Sequence, residues 1–259
     1  MSSKVEVQKE KGIAVITINN PPLNVMDKDV INGLRQTFQQ LNDDSETVVV
    51  ILTGAGEKAF MAGADIKEFP QLMDHPNMKE PVMETHAVLN QIDFFEKPTI
   101  AVLNGLTFGG GCELALTCDI RIAEAHAQIG LPEIKLGLFP GGGGTQRLPR
   151  LVGEAKAKEL MFTGEPIDAK TAGTIGLVNH VTDRGAGMGK AMEIAQQIRR
   201  HSLPALHCIK KAVDEGLDMS FPQAIEHEAE LFAKVFQTED IREGVTAFFE
   251  KRKPEFKHR

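Results

Sequence analysis

Short apolar runs that alternate with amphipathic stretches are the feature that most constrains the fold of this chain. The run 48–52 (VVVIL) is continuous, which is typical of a strand covered on both faces. Ile13–Ile18 and Thr99–Leu103 are β-branched runs of similar length. Between them, the stretch 27–41 repeats apolar residues at helical spacing, with Asp27 placed to cap the helix. Strands that alternate with helices predict an α/β fold with parallel strand pairing.

The last part of the chain has a different pattern. Past residue 185 the strand signals stop, and helical periodicity predicts helices over 188–199, 205–215, 221–236 and 238–253. The third of these carries an apolar stripe, formed by Phe221, Ile225, Phe232 and Phe236. Such a helical tail packs either against a partner subunit or over its own core, and the sequence is compatible with both arrangements.

Charge and composition exclude several classes of function. The chain has 259 residues and a net charge of −7, with 36 acidic and 29 basic side chains and neither Trp nor Tyr. This balance argues against binding to nucleic acid or to an anionic membrane. The three cysteines have no metal-ligand spacing, as a reducing compartment would permit. With neither an apolar leader nor a membrane-spanning run in the sequence, we expect a cytoplasmic protein.

Two glutamates stand out as candidate catalytic groups. Glu113 lies in the segment 109–114 (GGGCEL), where three glycines follow a predicted strand and open a helix. The free amides of a helix N-terminus favour negative charge, and Gly110 shares a helical face with Glu113. An amide donor and a carboxylate directed at one point suit acid–base chemistry on a carbonyl substrate. Glu133 follows a second turn signal, in the segment 130–133 (GLPE). Either motif alone is also compatible with close packing or with a solvated acid at a helix start.

Other small-residue segments have more than one interpretation. The segment 60–66 (FMAGADI) would let a ligand approach the backbone, or is a loop into a helix capped by Asp65. The glycine run 141–144 suggests a phosphate cradle, although it lacks the Lys and the spacing of a P-loop. Cys112 is either a nucleophile at a helix start or a buried, inert thiol. The scattered histidines predict no metal site.

Taken together and in order, three segments resemble the enoyl-CoA hydratase (crotonase) family over essentially the whole chain. They are 60–68 (FMAGADIKE), 104–119, which contains GGGCELA, and 131–148, which contains LPE and GGGGTQRL. The resemblance implies an α/β spiral of ββα turns in 1–195 and a helical C-terminal region in 196–259 that assembles trimers, often paired into hexamers. It also implies an acyl-CoA thioester substrate, with no cofactor beyond the coenzyme A that the substrate carries.

The resemblance assigns roles to particular residues. The N–H groups of Ala62 and Gly110 are predicted to form an oxyanion hole for the thioester oxygen. Phe248 and Lys251 are predicted to reach the coenzyme A bound by a neighbouring subunit. The complete set predicted to bind substrate or coenzyme A is Ala62, Gly63, Ala64, Asp65, Ile66, Lys67, Gly110, Phe248 and Lys251.

Both carboxylates expected of a hydratase in this family are present, which selects the reaction. The family pattern predicts syn addition of water across the C2=C3 bond of a 2-enoyl-CoA, in fatty-acid or branched-acid breakdown. In this scheme Glu113 takes a proton from water and Glu133 supplies the proton added at C2. The alternatives are a Δ3-Δ2 isomerase, a hydratase of branched or carboxylated acyl-CoA, and a non-catalytic RNA-binding protein, which the acidic charge disfavours. Leu131 occupies a position where many of these hydratases carry Gln.

Overall fold

Two β-sheets with helices packed around them form the structure, a computed structural model that describes residues 4–73 and 75–259. The strands are β1 (Val5–Glu10), β2 (Ile13–Ile18), β3 (Val49–Gly54), β4 (Ala59–Ala62), β5 (Thr99–Leu103), β6 (Leu106–Phe108), β7 (Ile120–Glu124), β8 (Gln128–Gly130), β9 (Ile167–Asp168) and β10 (His180–Thr182). The helices are α1 (Lys28–Asp43), α2 (Phe69–Met73), α3 (Lys79–Asp93), α4 (Gly110–Leu116), α5 (Gly144–Val152), α6 (Glu154–Thr163), α7 (Ala169–Thr174), α8 (Gly187–Ile198), α9 (Leu203–Gly216), α10 (Phe221–Val235) and α11 (Glu239–Glu250). Two short 3₁₀ helices cover Ile66–Glu68 and Glu133–Leu136.

The chain alternates between the two sheets. The larger sheet has the order β1-β2-β3-β5-β7-β10 and the smaller has the order β4-β6-β8-β9. β3, β5 and β7 lie in the larger sheet, and each is followed by a strand of the smaller one before the chain enters a helical segment. Pairing is parallel except between β1 and β2 and between β8 and β9. The predicted spiral of ββα turns is therefore confirmed.

The continuous apolar run at β3 is covered on both faces, as its sequence predicts. Val50 and Leu52 belong to the larger hydrophobic cluster, while Val49 and Ile51 belong to a second cluster on the other face. The second cluster includes Ala191 and Ala195 of α8, which packs against this sheet. Successive side chains of a strand point to opposite faces, so one strand supplies two cores. Each such burial contributes about 1.5–3 kcal/mol to stability.

The smaller sheet brings distant segments of the chain to a common edge. In its parallel register Ala62 of β4 lies opposite Phe108 of β6, and Phe108 lies opposite Gly130 of β8. The carboxyl ends of parallel strands meet at one edge of a sheet, where ligands commonly bind in α/β folds. The segments that follow these strand ends begin at Gly63, Gly109 and Leu131.

The C-terminal helices leave much apolar surface uncovered. Phe221, Ile225, Phe232 and Phe236 of the predicted stripe are 78%, 48%, 64% and 59% exposed. The stripe therefore does not cover the chain's own core.

The predicted division between 195 and 196 falls inside α8, whose Ile198 still packs against the second cluster, and the two-region division stays a prediction. Within the described ranges, no helix combines the length and the apolar character that crossing a bilayer requires.

Candidate active site

Glu113 is buried and is held by the glycine run 141–144. It lies in the first turn of α4 and is 4% exposed. Its Oε1 accepts hydrogen bonds from the N–H of Gly142 at 2.7 Å and of Gly144 at 2.8 Å. The glycine run therefore binds a carboxylate of the protein itself, which corrects the suggestion of a phosphate cradle. The two contacts span 29 and 31 residues of sequence, so no local pattern reveals them.

Close packing explains why this loop is rich in glycine. A Cβ on Gly142 would lie 2.5 Å from Oε2 of Glu113, and one on Gly144 would lie 3.1 Å from its Oε1. Gly143 has a φ of +102°, a conformation that side chains disfavour. Glycine thus lets the backbone amides approach the carboxylate.

Opposing effects act on the pKa of Glu113. Burial, the largest effect, raises its pKa above the ordinary value, whereas the amides of Gly144 and Gly142 and the charge of Arg147 lower it. Hydrogen bonds to the ionised form and a nearby cation stabilise the carboxylate that burial destabilises. The net pKa is raised, so the group takes up a proton more readily than an exposed glutamate.

Glu133 has a different environment. It begins the 3₁₀ helix Glu133–Leu136, separated by two residues from the end of β8. Its Oε2 is buried without a hydrogen-bond partner among the described residues. Burial raises its pKa to about 7, and the charge of Glu113 adds to this rise. A carboxyl group with this pKa is partly protonated at neutral pH and can donate a proton.

The structure corrects one predicted oxyanion donor. The N–H of Ala62 donates a hydrogen bond to the carbonyl of Leu23 at 3.1 Å. Ala62 therefore has no free amide, and its assignment as a donor was wrong.

Two residues further on, Ala64 presents a free amide instead. Met26 donates to the carbonyl of Gly63 at 2.8 Å and accepts from the N–H of Asp65 at 3.0 Å. The intervening N–H of Ala64 has no hydrogen-bond partner within residues 4–73 and 75–259. The position along the chain could have suggested Ala64 as the free amide, because Ala64 follows β4 whereas Ala62 is part of it.

The Ala64 amide lies beside the start of α4. A Cβ on Gly110 would lie 3.8 Å from the backbone nitrogen of Ala64. Gly110 is the first residue of α4, and first-turn amides have no acceptor inside their own helix. The turn before it depends on Gly109, which has a φ of +51°. The arrangement places two amide donors, of Ala64 and Gly110, next to the carboxylate-bearing helix.

The remaining predicted binding residues occupy two places. The first is the segment after β4, where Asp65 caps the 3₁₀ helix by accepting from the N–H of Lys67, and where Ile66 and Lys67 are exposed. Phe248, which is 79% exposed, and Lys251 lie at the end of α11. Within the described part of the chain, no hydrogen bond or ion pair joins these two to the carboxylate segments. Their contact with coenzyme A stays a prediction.

Leu131 and Cys112 are buried next to the candidate catalytic segments. Leu131 is 1% exposed, and its Cδ1 lies 3.0 Å from the position of a Cβ on Gly144. The wall next to the glycine loop is therefore apolar at this point. Cys112 is 2% exposed, and burial raises the pKa of its thiol, which favours the interpretation as an inert side chain.

Among the described residues no group of three or more His, Cys, Asp or Glu side chains is placed to hold a metal ion.

Comparison with known proteins identifies the family. The model of the family described as enoyl-CoA hydratase/isomerase matches residues 8–259. The chain belongs to this family. The resemblance inferred from the three ordered motifs is thus confirmed.

Relatives and solved structures in the family are similar over nearly their full lengths. The short-chain-enoyl-CoA hydratase of Clostridium acetobutylicum is 44% identical, with 99% of each chain covered. The crotonyl-CoA hydratase of Syntrophomonas wolfei is 42% identical, with 96% of each chain covered. The crystal structure of the enoyl-CoA hydratase of Bacillus anthracis superposes with a TM-score of 0.95 at 38% identity, covering 99% of this chain and 100% of that one.

Proposed function

We propose that this protein is an enoyl-CoA hydratase that adds water across the C2=C3 bond of a 2-enoyl-CoA and releases a 3-hydroxyacyl-CoA. The observation that carries the proposal is the difference between two glutamates on neighbouring segments, of which Glu113 is buried and Glu133 is half-buried. Glu113 is stabilised as a carboxylate by two amides, whereas Glu133 has an oxygen without a partner among the described residues and a pKa raised to about 7. One group is suited to accept a proton and the other to supply one.

The two free amides support the same reaction. In the proposed mechanism the thioester oxygen lies between the N–H groups of Ala64 and Gly110. Attack of water at C3 moves negative charge onto this oxygen, and each donor aimed at such an oxyanion contributes about 10²–10³ in rate. Placement of Gly110 at the N-terminus of α4 adds the favourable end of the helix dipole.

Proton transfers complete the proposed reaction. Water gives one proton to Glu113 as its oxygen bonds to C3, and the resulting enolate takes a proton from Glu133 at C2. The hydroxyl group and the hydrogen are predicted to add to the same face of the double bond. Glu113 then releases its proton and Glu133 takes one up, so the enzyme returns to its starting state without net consumption of an acid or base.

The substrate class follows from the family, and the names of two relatives favour a short acyl chain. Coenzyme A enters as part of the substrate, and the proposed chemistry uses only carboxylates and backbone amides of the protein. We further propose a role in fatty-acid or branched-acid breakdown and a cytoplasmic location.

Assembly into trimers, alone or paired as hexamers, is also proposed. The uncovered stripe on α10, which is exposed at Phe221 and Phe232, supports a subunit contact there. Such a contact would allow Phe248 and Lys251 of one subunit to approach coenzyme A bound to the next.

Hydration of crotonyl-CoA tests the proposal directly. Loss of the conjugated thioester absorbance is followed for the native protein and for Glu113→Gln, Glu133→Gln and the control Glu46→Gln. Glu46 is exposed in the loop between α1 and β3, so its replacement should leave the rate unchanged. We expect each of the first two variants to lose about 10²–10⁴ in kcat, as is typical for a general acid or base.

Three results would contradict the proposal. They are a native protein that binds coenzyme A but turns over no 2-enoyl-CoA, full activity in either site variant, and faster turnover of a 3-enoyl-CoA. The last result would favour the isomerase. Affinity for RNA without turnover of any enoyl-CoA would favour the binding protein.

A further inference from the structure

Arg147 connects the glycine loop around Glu113 to helix α3. Its side chain, 14% exposed, starts from the first turn of α5. The guanidinium donates from Nη1 to the carbonyl of Gly142 at 3.1 Å and from Nε to Oδ2 of Asp93 at 2.7 Å. From Nη2 it donates to Oδ1 of Asn90 at 2.7 Å. A planar guanidinium with three hydrogen-bond partners is held much more tightly than one held by a single ion pair.

Arg147 holds the glycine loop 141–144 on the side opposite to the Glu113 carboxylate. Gly142 gives its N–H to Glu113 and its carbonyl to Arg147. The carbonyl of Gly143 accepts from the backbone N–H of Arg147 at 2.8 Å. A Cβ on Gly143 would lie 2.2 Å from Nη1, so the guanidinium passes directly across the glycine. Movement of this side chain would move the amides that hold the Glu113 carboxylate.

One face of α3 lies against the same loop. Asn90 and Asp93 hold the guanidinium, and Cδ1 of Leu89 lies 3.0 Å from the position of a Cβ on Gly142. Cε1 of His86 lies 3.8 Å from the corresponding position on Gly143. These residues are spaced three and four apart, so they share a helical face.

We propose that Arg147 is a positioning residue for Glu113, holding the Gly142 and Gly144 amides in place through its fixed contacts with Asn90 and Asp93 of α3. The proposal rests on the proposed hydratase function. It also gives α3 a means to influence the general base, since a shift of α3 would move the guanidinium and with it the loop.

Charge adds to this geometric effect. The guanidinium lowers the pKa of Glu113, in opposition to burial. The other titratable groups around this cluster are Asp93 and His86 from α3, Cys112 from α4 and Glu133 from the 3₁₀ helix. Removal of the cation therefore raises the pKa of Glu113, and the acid limb of the kcat profile moves to higher pH.

The test compares Arg147→Lys, Arg147→Met, Asn90→Ala and the control Arg150→Lys in crotonyl-CoA hydration. Arg150 lies on the same helix and is exposed, with its contacts directed to Gln146 and Asp218. Misplacement of a reacting group by about 1 Å costs roughly 10²-fold in rate. We expect kcat to fall about 10–100-fold in Arg147→Lys and somewhat less in Asn90→Ala. KM should stay within about threefold, because the substrate contacts are not altered.

The pH profile separates positioning from a merely structural role. Arg147→Met should move the acid limb to higher pH, whereas Arg147→Lys, which keeps the charge, should move it less. Thermal unfolding identifies any variant that fails to fold. If Arg147→Met fails to fold, the two single variants Arg147→Lys and Asn90→Ala provide the test. Unchanged kcat in both, or a loss of kcat equal to that of Arg150→Lys, would overturn the proposal. An inactive native protein would instead refute the hydratase function itself.

Discussion

Oε1 of Glu133 lies 2.9 Å from the position that a Cβ on Gly109 would occupy. Gly109 has a φ of +51° and ends the turn from which α4 begins. The absence of a side chain here therefore serves two ends, since it permits the turn and leaves room for the second carboxylate. The backbone that precedes the Glu113 helix and the Glu133 side chain share one small volume.

Replacement of this glycine should displace Glu133. Gly109→Ala is expected to reduce kcat strongly and to cost about 1–3 kcal/mol of stability from the strained backbone. Gly56→Ala is the matched control, since Gly56 has a φ of +76° and nothing within 4 Å of its Cβ position. Thermal unfolding and crotonyl-CoA kinetics on both variants check this. Equal activity in the two variants would show that contact with Glu133 does not matter.

The raised pKa of Glu133 predicts a pH dependence of stability. Its pKa rises from an ordinary value of 4.5 to about 7 in the folded protein. Between these values the unfolded chain has lost the proton that the folded protein still holds, so stability falls as pH rises through this window. Glu133→Gln removes this contribution. Urea unfolding from pH 4.5 to 7.5 should therefore give a flatter profile for the variant than for the native protein, and parallel profiles would contradict the assignment.

The same pKa predicts how the rate depends on pH. If Glu133 donates the proton at C2, kcat/KM should decline above about pH 7 as this group ionises in the free enzyme. The two carboxylates interact, so the limbs report the pair rather than either group alone. Initial rates across pH 5–9, with the stability of the protein checked at each pH, measure this profile. A rate that is level through the neutral range would count against Glu133 as the acid.

Amide-to-ester substitution distinguishes Ala64 from Ala62 as the oxyanion donor. Incorporation of lactic acid at position 64 replaces the free N–H by oxygen, and kcat should fall about 10²–10³-fold with little change in stability. The same replacement at position 62 removes the hydrogen bond to the Leu23 carbonyl, so stability should fall by about 0.5–1.5 kcal/mol while kcat changes little. The opposite pattern would restore Ala62 as the donor.

Subunit assembly can be tested on the stripe of α10. Phe232 is 64% exposed, and Phe232→Glu should weaken a contact made there, because a charge would be buried without a partner. Val7→Glu on the exposed side of β1 is the control. Light scattering after size exclusion should give a trimer or hexamer for the native protein and the control, and smaller species for Phe232→Glu. A native monomer would refute the assembly.

The sequence predicted those elements whose signals are local and long enough to show a period. Thr99–Leu103 and Ile13–Ile18 form strands with the predicted bounds, and Asp27 caps α1 through the N–H of Val30. The strands of the smaller sheet were not predicted. They have two to four residues each, too few to show alternation, and they are stabilised by pairing with distant segments.

The candidate site shows the same difference between local and long-range information. The sequence determined the family, the fold and the two candidate carboxylates, because these depend on ordered motifs that persist in the primary structure. Only the tertiary structure decided that Gly142 and Gly144 hold Glu113, and that Ala64 rather than Ala62 has a free amide. Hydrogen-bond partners and burial are set by segments far apart in the chain. A pattern can show that an amide or a carboxylate is present, but its availability depends on what the fold places against it.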